Sequence, residues 1–131
     1  MLYALLIFES EEALERQTPP EYDRTMAAHG RMQDAAKAAG AFRGGTRLMP
    51  SSSATTLRAN GSGDIQVLDG PFAETKELLV GFYLVECDSL DQAIEHGRRL
   101  PHLTSGAVEI RPIQYVSSLL GGEEYRWSSS D

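Results

Sequence analysis

The chain has 131 residues, enough for one domain and too few for two ordinary ones. Hydrophobic residues make up 41% and charged residues 24%, the balance of a soluble globular protein and not of a disordered or fibrous one. A net charge of −7 argues against nucleic acid or an anionic membrane surface as partner, because both attract basic faces.

The longest apolar stretches, residues 1–8 and 78–85, are eight residues each, far short of the ~20 needed to cross a bilayer. The first lacks a basic leader and a small-residue cleavage motif, so it reads as a strand, and a cytoplasmic location is expected. The one cysteine, Cys87, excludes an internal disulfide framework and a cysteine-rich zinc site.

Residues 2–8 are almost wholly apolar, as in a central strand covered on both faces. Residues 9–17 read as loop or a short helical turn. Thr18-Pro19-Pro20-Glu21 then marks a helix start: Thr18 can cap, the prolines suit a first turn that lacks partners, and Glu21 completes a capping box. Tyr22, Met26, His29, Met32 and Ala36 recur at helical spacing and Gly40 is a natural stop, so the spacing predicts a helix over about residues 20–39.

Residues 41–48 form the next predicted strand, with a bulge or close approach expected at Gly44-Gly45. Residues 54–59 and 64–68, joined by Asn60-Gly61-Ser62-Gly63, carry a hairpin pattern. Asp69-Gly70-Pro71-Phe72 breaks it, and residues 73–79 suggest one helical turn. Residues 80–87 are a second buried-type strand. Ser89 with Gln92 then opens a helix whose apolar stripe is Leu90, Ala93, Ile94, Gly97 and Leu100. Pro101 ends it, and residues 107–113 give a last strand. Residues 116–131 form a tail, loose or docked on a partner.

The order is β-α-β-(β-β)-β-α-β, an α+β class, ferredoxin-like β-α-β-β-α-β core with an inserted β-hairpin. Two helices on one face leave the other face of the sheet bare. A second copy is its simplest cover, so a homodimer is expected.

His29 shares the helix stripe with Tyr22 and Met26, so its imidazole points inward or into a cleft. A histidine there can give or take a proton near neutrality, or simply bond to backbone as a structural group. Asp69 is either a turn-capping residue or a carboxylate, held by a stiff turn, that orients a histidine. Glu74, Lys76 and Glu77 read as a solvated charged loop, although Lys76 beside the Asp69 turn can meet an anion. Arg43, Arg47 and Arg58 line an exposed face unless one enters the cleft as a carboxylate or phosphate clamp. His96 falls off its helix stripe and His102 sits in a loop, so both look structural. Acidic residues are scattered, so no metal site and no cofactor is expected. Cys87 reads as a buried free thiol. No phosphate-binding loop and no Gly-x-Ser-x-Gly elbow occurs.

Asp69-Gly70-Pro71-Phe72-Ala73-Glu74-Thr75-Lys76-Glu77, followed by Gly81-Phe82-Tyr83, strongly resembles the DGPF-type branch of the YCII-related family. Tyr3-Ala4-Leu5-Leu6-Ile7, Ala54-Thr55-Thr56-Leu57-Arg58, Asp88-Ser89-Leu90-Asp91-Gln92-Ala93 and Val108-Glu109-Ile110-Arg111-Pro112-Ile113 fit it as well, so the resemblance covers residues 1–115 as a YCII-related domain.

The resemblance implies an α+β subunit pairing as a dimeric α/β barrel. It also implies a histidine and an aspartate meeting in a cleft. His29, upstream of Gly40, looks like that histidine. The acid would follow the helix, but no Asp or Glu lies between Asp34 and Asp64, and Asp69 is the substitute inferred from this sequence. DGPF-type proteins are further associated with extracytoplasmic-function sigma factors, which implies a regulatory setting.

Two functions follow as expectations. In the first, a dimeric enzyme acts on an unknown small molecule, with His29 as general acid or base oriented by Asp69. Arg47, Phe72, Lys76, Phe82 and Tyr83 then supply ligand contacts. In the second, the cleft binds a ligand without catalysis and the surface or tail contacts a protein such as a sigma factor. A dimer locked by the Asp69 turn, with no ligand at all, is a third reading. Fold alone does not choose among them.

Overall fold

The computed structural model describes residues 1–73, 75–117 and 125–126; Glu74 and most of the expected tail lie outside the described residues. β1 (Leu2–Glu9) is the second strand from one edge of a four-stranded sheet. β5 (Leu78–Glu86) pairs with it on one side, with Leu5 opposite Tyr83 and Tyr3 opposite Val85. β6 (Ala107–Pro112) pairs on the other side, with Leu5 opposite Ile110. β2 (Phe42–Arg47) adds to the far edge of β5, giving the order β2-β5-β1-β6. Every pairing is antiparallel. This is an α+β arrangement compatible with a ferredoxin-like core.

Strand alternation decides what each face does. Tyr3, Leu5, Ile7 and Glu9 of β1 point to the same side, and all four are buried. The helices α2 (Pro19–Ala38) and α3 (Leu90–Arg98) supply the other half of this core through Met32, Ala36 and Ala93. Leu5, Met32 and Val85 are fully buried, each contributing about 1.5–3 kcal/mol of transfer free energy. The opposite face carries Leu6, Phe8, Phe82 and Leu84, which stay only half-buried.

The helix ends form as their sequences dictate. Thr18 Oγ1 accepts from the Glu21 N–H, and the prolines fill the first turn of α2. The Ala41 N–H closes the other end on the Ala36 carbonyl, just past Gly40. Ser89 Oγ likewise accepts from Gln92 at the start of α3. The polar stretch after β1 is a further short helix, α1 (Glu11–Glu15), capped by Ser10 Oγ. A register shift between Phe42 and Gly44 marks the expected irregularity in β2.

β3 (Thr55–Ala59) and β4 (Ile65–Asp69) make the inserted hairpin as a separate two-stranded sheet. Its Leu57, Ile65 and Val67 are exposed by 64% or more, so it projects as an arm. The helical turn expected at residues 73–79 does not form among the described residues: Leu78 and Leu79 join β5, because their backbone pairs with Glu9 and Phe8. No described helix is long and apolar enough to cross a membrane.

Candidate functional site

α2 and β5 bring the first three groups together. His29 faces the sheet from the inner stripe of α2, and its Nδ1 lies 2.8 Å from the Tyr83 hydroxyl. Gln33, one turn further along α2, donates its Nε2–H to the same hydroxyl at 3.0 Å. Tyr83 can occupy this position only because its neighbour across the strand pair is Gly45. A Cβ there would stand 2.6 Å from Tyr83 Cδ1, well inside contact distance.

The loop after α3 supplies the rest. Leu100 anchors it in the core, and the turn Pro101–Leu103 aims His102 back at α2. His102 Nε2 is 2.9 Å from His29 Nε2, and its Nδ1 is 3.0 Å from Glu9 Oε1. Ser105 Oγ donates to the same Glu9 oxygen at 2.6 Å, while the Ser10 N–H reaches Oε2 at 3.2 Å. Gly106 lets the loop approach this closely, since a Cβ there would run into the Phe8 carbonyl oxygen. Glu9 and His102 are 3% and 6% exposed, so the carboxylate depends on these donors in place of water.

The hydrogen positions follow from the partners. A carboxylate only accepts, so His102 carries its proton on Nδ1. Burial, then the neighbouring His102 and Arg47, push the His29 pKa from 6.5 down to about 4, so His29 is neutral at physiological pH. The two facing Nε2 atoms therefore share one hydrogen. With that hydrogen on His29, every donor points one way: Tyr83 O–H to His29 Nδ1, His29 Nε2–H to His102 Nε2, His102 Nδ1–H to Glu9.

This chain of four residues opens on a cavity of about 260 Å³. Leu14, Tyr22, Met26, Phe42 and Val80 give it apolar walls, and His29, Tyr83, His102 and Arg47 line it too. Arg47 lies over the Tyr22 ring, 5.9 Å from its centroid, with Nη1 3.8 Å from Met26 Sδ.

Of the residues singled out in the sequence, His29, Tyr83 and Arg47 meet at this cavity. Phe82 follows the strand alternation onto the opposite face of the sheet. Asp69, Phe72 and Lys76 do not line the cavity. Asp69 sits exposed at the end of β4, opposite Thr55, and Phe72 lies under the Arg58 guanidinium. Within the chain Asp69 is not hydrogen-bonded to His29, both of whose ring nitrogens are taken by Tyr83 and His102. The carboxylate at the end of this histidine network is Glu9.

His102, read as a bland loop residue, is central, because the loop crosses the end of β1 instead of facing solvent. Glu9 carries a visible sign: it continues the buried phase of Tyr3, Leu5 and Ile7, where a carboxylate must find partners. Gln33 is one helical turn from His29, on the same side. His96 is not off the buried surface of α3 as its spacing suggested. It is buried, lowered in pKa first by that burial, and lines a separate recess with Cys87 and Arg99. Cys87 is buried and free, and burial pushes its thiol up, away from thiolate chemistry. Among the described residues no cluster of three His, Cys, Asp or Glu side chains can hold a metal ion.

Comparison with known proteins places the whole described core in one group. A family model described as the YCII-related domain matches residues 1–117. The chain is also similar to an uncharacterized protein of Rhizobium meliloti (strain 1021), 40% identical over 115 residues, which cover 86% of this chain and 92% of that one.

Proposed function

The chain belongs to the YCII-related family, and from that premise we propose that it is an enzyme acting on a small molecule by proton transfer at the Tyr83 hydroxyl. The observation that carries this reading is the unbroken chain Tyr83–His29–His102–Glu9 ending on the cavity.

The proton balance closes at each step. A substrate proton passes to the Tyr83 oxygen as the Tyr83 proton passes to His29 Nδ1. His29 gives its Nε2 hydrogen to His102, leaving an imidazolium against the Glu9 carboxylate. The reverse sequence returns the proton to the product. His29 stays neutral throughout, which agrees with its depressed pKa: it conducts the proton and never has to hold a charge in its buried position. Tyr83 is then the catalytic group, with His29 behind it as relay and Gln33 fixing the hydroxyl.

Assembly belongs to the same reading. The half-buried face of Leu6, Phe8, Phe82 and Leu84 and the exposed arm residues Leu57, Ile65 and Val67 are more apolar surface than a lone chain favours. Two copies facing each other as a dimeric α/β barrel bury both.

The test is a proton NMR screen of small polar compounds incubated with the protein in D₂O. Isomerisation, elimination and hydrolysis appear as new signals, and simple proton transfer as loss of a C–H signal. Turnover of a compound by the wild type that drops by about 10²–10⁴ in Tyr83→Phe and in His29→Ala supports the relay. Equal turnover in both variants removes it.

A further inference from the structure

The cavity carries information about its ligand beyond the proton chain. Apart from the histidines, Arg47 is the one charged side chain among the described residues that line it: no described Asp, Glu or Lys joins it. This is unusual ground in a chain of net charge −7. Arg43, on the same strand, is committed to Glu86 at 3.0 Å, whereas Arg47 has no carboxylate in ion-pair range among the described residues. Among the described residues it rests over the Tyr22 ring and donates one weak hydrogen bond from Nη1 to Met26 Sδ, which orients the guanidinium and leaves the rest of its hydrogen-bonding fork unspent.

The strand register adds the second link. Gly45 stands opposite Tyr83 and Arg47 opposite Gly81, so Arg47 and Tyr83 are diagonal neighbours on one face. A single small ligand therefore meets the guanidinium at one end and the catalytic hydroxyl at the other. The volume of about 260 Å³ sits below the ~300 Å³ at which sites for drug-sized molecules begin, which suits a small compound better than a nucleotide or peptide. One guanidinium, with no lysine and no second arginine beside it, matches a carboxylate's single charge and two oxygens better than a phosphate's higher charge and three.

We infer that the ligand of this cavity is a small monocarboxylate with an apolar body, its carboxylate paired with Arg47 and its body held between Tyr22, Met26, Phe42 and Val80. The inference rests on the acid–base reading of the same cavity, and it places the ligand's reacting atom, away from its carboxylate, at Tyr83.

Benzoate, benzamide and phenyl phosphate serve as probes, titrated into the full-length protein with the His29 and Tyr83 ring resonances as readout. Benzoate should saturate with a Kd on the order of millimolar, and neutral benzamide, of the same shape, should bind about tenfold or more weakly. Arg47→Met should remove that preference, and Arg47→Lys should recover only part of it, because the bidentate fork is lost. Circular dichroism of both variants checks the fold, which this exposed edge position should not disturb.

Benzamide equal to benzoate, benzoate binding unchanged in Arg47→Met, or no benzoate binding at all overturns the inference. Phenyl phosphate binding more tightly than benzoate overturns the carboxylate assignment. Tyr83→Phe separates the two levels of argument. Benzoate binding that needs Arg47 but survives Tyr83→Phe upholds the ligand class even if the turnover screen rejects the relay.

Discussion

Ser105 and His102 converge on one oxygen of Glu9, at 2.6 and 3.0 Å, from a loop that has no regular secondary structure beyond a single turn. The carboxylate is thus both the terminus of the hydrogen-bond chain and the anchor that fixes the loop. These two duties lead to the first expectation.

Glu9→Gln keeps the size of the side chain but replaces an acceptor oxygen with a donor amide. One of the His102, Ser105 or Ser10 donors then faces another donor in a buried place. The expected loss is about 1–3 kcal/mol of stability in urea unfolding, with the His102 ring resonances broadened or shifted. Unchanged stability would mean that water already satisfies this carboxylate.

Stability should fall on acidification, and the sign follows from His29. Its folded pKa, about 4, lies below the 6.5 of the unfolded chain, so the unfolded chain takes up the proton first. The contribution is complete above 6.5 and is lost as the pH falls toward 4. After allowance for partial exposure it amounts to about 1–2 kcal/mol. His96, also lowered, acts in the same direction. Urea midpoints at pH 7 and pH 5 measure the slope, and His29→Gln should flatten it.

Gly45→Ala tests the packing behind the Tyr83 hydroxyl. The added methyl group meets Tyr83 Cδ1 at 2.6 Å and Cε1 at 2.7 Å, and the ring is too buried to swing away freely. A destabilisation of about 1–3 kcal/mol is expected, together with loss of the Tyr83–His29 hydrogen bond. The nitrogen-15 shift of His29 Nδ1 reports that bond directly. A wild-type shift in the variant would show that the ring position does not depend on Gly45.

Val67→Glu addresses the arm. Val67 is 69% exposed in a single chain, so the substitution leaves the folding of that chain untouched, while a charge at an interface opposes pairing. Sedimentation of the wild type at twice the mass of one chain, with a shift toward one mass in Val67→Glu, supports the dimer. A wild type that sediments as a single chain rejects it.

The secondary structure was largely legible because its causes are local. Thr18 and Ser89 cap, Gly40 stops a helix, and Asn60 holds the hairpin turn through its own neighbours' N–H groups. His29 was legible too, since helical spacing fixes its face. Tyr83 was legible as a cleft residue but not as the hydrogen-bond partner of His29, and His102 was not legible at all. The Asp69 motif drew attention by its composition, yet its turn serves the foot of the arm, where the Gly70 N–H meets the Ala54 carbonyl and Thr56 Oγ1 donates to the Gly70 carbonyl. His102 meets His29 across 73 positions, a distance over which no periodicity acts. Only Glu9, polar in the buried phase of β1, left a trace of its role.

The Glu9–His102 bond spans 93 positions, and the Glu9–Ser105 bond spans 96. On the ribosome, Glu9 therefore leaves the exit tunnel long before its partners have been made. Until they arrive, a bare carboxylate at the end of β1 must keep its water, and that corner of the nascent sheet stays open. Closure of the corner has to meet the loop-closure entropy of a long chain segment, as the pairing of β1 with β6 does. A half-made chain has the histidine on its helix but neither His102 nor Ser105, so the histidine–carboxylate network is complete only in the finished fold.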